Sequence, residues 1–169
     1  MEPSADERRA LAEDLRRIVG RRVLDPLDIL FGEDEPSGAD ERLRERLEVK
    51  SRTWADVLLG EDDRAAAHLA IRLVSTLYPG DAPFDPPAAW WATPLGRAVA
   101  RRAGHPAATA VTVSVAAAML GITRQGVHDL MRRGKLGRTP DGAVTTESIR
   151  ARLSPRAATG PRTTRGDRE

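Results

Sequence analysis

Apolar positions along this chain recur mostly at three- and four-residue steps, the spacing that lines one face of an α-helix. Ala10, Leu11, Leu15, Ile18 and Val19 follow that rule with arginines and acids between them, and they predict an amphipathic helix from Ala5 to about Arg22. In "LDPLDILFG", Asp25 is placed to cap a short helix that starts at Pro26 and stops at Gly32. An acidic loop, "EDEPSGADE", follows, and then a charged helix with Leu43, Leu47 and Val49 turned inward. Thr53 reads as the N-cap of a separate helix, "WADVLLG", with Trp54, Val57 and Leu58 on one face; Asp62 or Asp63 caps "RAAAHLAIRLVSTLY". "PGDAPFDPP", with four prolines and a glycine, then breaks all regular structure.

Helical spacing resumes at Trp90 and Trp91, which are expected to lock the next helix to the N-terminal bundle. Thr93 caps that helix, Pro94 takes its first position, and Leu95, Ala98, Val99 and Arg102 follow. "GHPAATA" reads as a linker. No strand-like alternation occurs before residue 136, and there is no internal repeat.

The pattern beyond residue 111 is more specific. Thr112 caps "VSVAAAML", whose three consecutive alanines leave room for another helix to cross closely. Gly121 supplies a left-handed residue, Ile122 fills the turn, and Thr123 caps "RQGVHDLMRR". Two helices joined by so short a glycine-containing turn predict a helix-turn-helix unit. Val127, Leu130 and Met131 are spaced to face inward, leaving Arg124, Gln125, His128, Asp129 and Arg132 outward. Gly134 ends that helix. Leu136–Thr139 and Ala143–Thr145 then form a hairpin signal around Pro140, Asp141 and Gly142, and Thr146 caps a last helix through Ile149 and Leu153. The expected fold class is mainly α: a helical N-terminal bundle followed by a small winged helix-turn-helix with a short two-stranded wing.

Charge sharpens this picture. Residues 1–110 carry 16 basic and 20 acidic side chains, a net of −4, whereas residues 111–169 carry 11 and 5, a net of +6. A basic end on a near-neutral chain suits a polyanionic partner for that end, although four of its arginines lie in the terminal stretch and read equally well as a solvated tail. Arginine can donate two parallel hydrogen bonds to guanine O6 and N7, and glutamine can pair with adenine N6 and N7, so the outward positions of the second helix carry base-reading chemistry.

Composition argues against other classes. With no cysteine there is no disulfide, thiolate metal site or thiol nucleophile, in keeping with a cytoplasmic, nucleoid-associated location. No apolar run reaches the roughly 18 residues of a membrane span, and "MEPSADERRA" is too charged for a secretory signal. His68 reads as a core-edge residue, His105 sits before a proline, and no two histidines have metal-ligand spacing. Asp62 and Asp63 read as a cap rather than a catalytic pair, so neither enzyme activity, metal nor cofactor is expected.

"TVSVAAAMLGITRQGVHDLMRRGKL" resembles the excisionase-type, MerR-like helix-turn-helix family. "LGITR" and "RRGKL" at their separation carry the resemblance, which spans residues 111 to about 153. It implies a DNA-binding unit in which Thr123 caps the recognition helix and Arg124, Gln125 and His128 line the major-groove face. It further implies that Arg132, Arg133 and Lys135 approach phosphates, with Arg138 on the wing. Two positions depart from the family pattern. Val115 stands where glutamate is frequent, so the reciprocal capping box opposite Thr112 is missing, and the wing is short with only Arg138 on it.

The expected organisation is a helical region at 1–104 for partner or self-association, a linker at 105–110, the winged unit at 111–153 and a disordered basic tail at 154–169. The leading expectation is sequence-specific binding of double-stranded DNA by a bacterial transcriptional regulator. The alternatives are an excisionase-like DNA-bending protein and an adaptor whose N-terminal helices bind another protein. A homodimer or a protein partner would use those same helices.

Overall fold

The structure is a computed structural model that describes residues 3–31 and 39–154. Helix α1 (Ala5–Val19) starts at Ser4, whose hydroxyl accepts the Glu7 N–H at 3.1 Å. It buries Leu11, Ala12, Leu15 and Ile18, while Ala10, expected on the apolar face, is exposed. The helix does not stop at Arg22. It widens into a π-helical turn (Gly20–Leu24) and continues as α2 (Asp25–Phe31). Asp25 has helical backbone angles, φ −60° and ψ −41°, so it is not the N-cap its side chain suggested. The wider turn lets the chain take up Pro26, which has no N–H to give the helical ladder, without a break. Gly32 and most of the acidic loop lie outside the described residues.

Helix α3 (Ala39–Leu59) is likewise one element where two were expected. Thr53 is not a cap; its hydroxyl donates to the Val49 carbonyl at 3.1 Å, one turn back inside the same helix. Leu47 is buried, but Leu43 and Val49 are 41% and 64% exposed, contrary to their expected inward placement. Asp62 does cap α4 (Asp63–Leu77), accepting the N–H groups of Arg64 and Ala65 at 3.1 and 2.9 Å. After the proline-rich segment come α5 (Ala88–Trp91) and α6 (Pro94–Arg102), the latter capped by the Thr93 hydroxyl, which accepts the Gly96 N–H at 3.0 Å.

Helices α1, α3, α4 and α6 pack on one another around Leu15, Leu58, Ala70, Leu95 and Val99. Two buried ionic groups fix α6 at its ends. The Asp14 carboxylate accepts the Leu95 N–H at 3.0 Å in the first turn of α6, where backbone donors are free and the helix dipole favours an anion, and Arg17 pairs with its other oxygen. At the far end Arg102 donates to the carbonyls of Leu58 (2.8 Å) and Gly60 (2.6 Å) at the C-terminus of α3 and pairs with Asp63. Trp91 is fully buried; Trp90 stands edge-on to it at 4.9 Å and donates its indole N–H to the Tyr78 hydroxyl at 2.8 Å.

The remaining elements are β1 (Ala110–Val111), α7 (Val113–Leu120), α8 (Arg124–Arg132), β2 (Val144–Thr145) and α9 (Thr146–Leu153). The sheet is antiparallel, with Ala110 opposite Thr145 and Val111 opposite Val144. Its first strand therefore precedes residue 136, where no strand was expected. The expected strand at Leu136–Thr139 is reduced to a single bridge between Arg138 and Val144, supported by bonds from the Thr139 N–H to the Ala143 carbonyl and from the Thr145 N–H to that of Gly137. Thr146 is the first residue of α9 and not its cap: its N–H and hydroxyl donate to the carbonyls of Thr109 and Ala108, both at 2.9 Å. The described residues are thus mainly helical, with one small two-stranded antiparallel sheet among them.

One continuous apolar core joins both halves. Trp91 shares it with Val111, Ala116, Ala117, Val127, Val144 and Ile149, because α5 packs on α7, and α6 packs on both α7 and α9. His105 sits at this junction. Its side chain is fully buried, its ring lies 5.1 Å from that of Trp91, and its Nδ1 accepts the N–H groups of Ala107 (3.3 Å) and Ala108 (2.9 Å). Burial holds the imidazole below its ordinary pKa of 6.5, and the nearby Asp85 carboxylate only partly opposes that shift. Above about pH 6.5 the ring is neutral folded or unfolded. As pH falls below that value the unfolded chain binds a proton that the fold resists, so stability drops. Between about pH 6.5 and 5.5 the melting temperature is expected to fall, and His105→Gln is expected to flatten that slope. An unchanged slope in the variant would assign the effect to other groups.

Candidate nucleic-acid interface

The exposed face of α8 is built by local rules at each end. Thr112 opens α7 by accepting the Val115 N–H at 3.3 Å; with valine at 115 no side chain returns the bond. Gly121 closes α7 at φ +66°. Its N–H bonds to the Ala118 carbonyl at 3.2 Å and that of Ile122 to the Ala117 carbonyl at 3.0 Å, the paired closure that a left-handed residue permits. Thr123 then starts α8, accepting the Gly126 N–H at 3.1 Å. The same closure ends α8: Gly134 has φ +63°, its N–H bonds to the Met131 carbonyl at 3.0 Å, and that of Lys135 to the Leu130 carbonyl at 2.8 Å.

Packing sets the roll of α8 about its axis. Val127 is fully buried, and Leu130 and Met131 are half-buried against the shared core. The small side chains of Ala116 and Ala117 let α7 pack against its neighbours. Arg124, Gln125, His128 and Arg132 are consequently exposed, as are Thr123, Arg133, Lys135 and Arg138. All eight residues singled out from the sequence reach solvent, and none is drawn into the core. Residues 124–138 carry five basic side chains against one acid, Asp129.

That acid was not singled out. Asp129 Oδ1 accepts Gln125 Nε2 at 3.2 Å and also pairs with Arg132, so one carboxylate tethers two outward side chains one turn to either side. The signal was available in the spacing, since Gln125 and Arg132 lie four and three residues from Asp129. Gln125 keeps its carbonyl oxygen and one amide hydrogen free, enough for both bonds of an adenine contact. Asp129→Ala is expected to raise affinity for duplex DNA in general by removing a negative charge, while narrowing the difference between preferred and random sequences. Binding titrations on both kinds of duplex check this; a wider difference would contradict the tethering role.

Among the described residues no cluster of three or more histidine, cysteine, aspartate or glutamate side chains could hold a metal ion, and no helix is long and apolar enough to cross a membrane. No protein-family model matches the chain, and no curated protein or solved structure is significantly similar to it.

Proposed function

We propose that the chain binds double-stranded DNA in a sequence-dependent way and acts as a transcriptional regulator, with α8 as the helix that enters the major groove. The observation that carries this reading is the face of α8: Arg124, Gln125 and His128 stand exposed on its N-terminal half while Val127 is fully buried behind them. A helix presented this way offers bidentate donors to base edges from its N-terminal end, which is how a helix-turn-helix unit docks. Arg132, Arg133 and Lys135 follow at its C-terminal end as phosphate contacts, and the 137–145 hairpin serves as the wing that carries Arg138. Phosphate contacts set register and affinity, whereas base contacts carry preference.

The excisionase-like resemblance of residues 111–153 agrees with this assignment. The common core of bundle and DNA-binding unit favours a regulator over a bare bending protein, because anything that engages the bundle is coupled mechanically to α8. Selection of bound duplexes from a random pool by the full chain tests the proposal. Enrichment of a common motif supports it, and recovery of an unenriched pool contradicts it. Measuring the bend of the selected site then separates a regulator from a DNA-bending protein.

A further inference from the structure

The bundle leaves one apolar face uncovered. Helix α2 has no buried residue, and Val23, Leu27, Leu30 and Phe31 are 37%, 39%, 70% and 57% exposed. They follow one another at i, i+4, i+7 and i+8, a single stripe along the helix. The π turn aligns this stripe with the core face of α1. Its extra residue puts Val23 above Ile18, where an unbroken α-helix would have put Arg22. The apolar face that α1 buries in the bundle thus runs on along α2 with nothing over it among the described residues.

We infer that this stripe is the interface with a second copy of the same chain, which deepens the DNA-binding proposal by supplying the second recognition helix. Three observations select a copy over another partner. The surface is made in the free chain, because Arg44 of α3 pairs with Asp28 and Asp25 of α2 and holds the two helices together before any partner arrives. The charge of the two helical segments that carry this surface is nearly balanced: residues 21–31 and 41–50 hold six basic and five acidic side chains. Such a balance attracts neither a polyanion nor a polycation, and it lets a second copy approach without net repulsion. The size also fits. With Leu43, 41% exposed beside Arg44, the stripe offers on the order of 500 Å² of apolar surface, and the charged rim brings it toward the roughly 800 Å² per partner of a standard interface. Because α8 shares a core with the bundle, pairing through α2 fixes two copies of α8 relative to each other, as two half-sites about one DNA turn apart require.

Sedimentation of the full chain over about 1–100 μM tests the inference. Wild type is expected to dimerise within that range. Combined Leu30→Glu and Phe31→Glu substitution is expected to weaken the dimer at least about tenfold while leaving the melting temperature unchanged at concentrations where wild type is dissociated, since both side chains are solvent-exposed in the free chain. Ile29→Glu, at the most exposed apolar position but off the stripe, is expected to leave it intact. A wild type that stays monomeric, or a dimer that survives the double substitution, overturns the inference. So does a double variant that is monomeric like wild type but melts earlier, which would mean that the chain's own residues cover the stripe. Titration of both proteins with duplex DNA separates this proposal from the previous one. If the dimer behaves as described but neither protein binds duplex, the interface stands and the DNA-binding reading fails. If both bind duplex and neither dimerises, the reverse holds.

Discussion

Gly96→Ala is expected to lower stability by about 3 kcal/mol or more, which for a chain of this size is roughly 6–12 °C in melting temperature. Gly96 lies in the first turn of α6, where the chain returns against α5 immediately after Trp91. A Cβ there would sit 2.2 Å from the Trp90 carbonyl oxygen and 2.8 Å from the Trp91 Cα, and both are backbone atoms that cannot rotate away. Relief requires moving α5, and α5 carries the fully buried Trp91 that α7 packs against. The strain should therefore reach α7 and, through it, α8. Gly20→Ala is the same chemical change where a Cβ meets nothing within 4 Å and the backbone is helical, so a gain of about 0.5–1 kcal/mol is expected there. Thermal or denaturant unfolding of the two variants checks the contrast. Equal effects would mean that the approach of α6 to α5 is looser than the geometry implies.

The second large effect concerns recognition. Arg124→Ala and Gln125→Ala are each expected to remove about 1–3 kcal/mol of discrimination at one base position, about 5- to 150-fold, and to leave binding to random duplex less affected. Arg133→Ala is expected to behave differently, weakening binding to all sequences and reducing the salt slope by about one unit. Affinities on matched and mismatched duplexes at several salt concentrations distinguish the two patterns. If all three substitutions changed affinity in the same uniform way, α8 would be acting as a phosphate-binding surface without base readout.

What the sequence disclosed and what it hid follow from how local each determinant is. Both ends of α8 are set within five residues, by Gly121, Thr123 and Gly134, and its roll by Val127; its face was therefore legible. The Asp62 and Thr93 caps were legible for the same reason. Thr53 misled because a hydroxyl before an apolar run looks the same whether it caps a new helix or bonds back to Val49. Asp25 and Pro26 carry a helix-start signature, and only the π turn ahead of them lets the chain continue. The partner of β2 could not be read from neighbours, since Ala110–Val111 lies more than thirty residues upstream and is too short to alternate. The two buried ionic groups, Asp14 and Arg102, were hidden because each answers backbone atoms that come close only in the folded bundle.

Methylation interference at guanine N7 on a duplex selected by the full chain tests most directly whether α8 reads the major groove. Major-groove reading by α8 requires that N7 methyl groups at one or two guanines abolish binding, and that at least one of these positions cease to matter in Arg124→Ala. Binding indifferent to every N7 methyl group, or an interference pattern that survives Arg124→Ala unchanged, would contradict it.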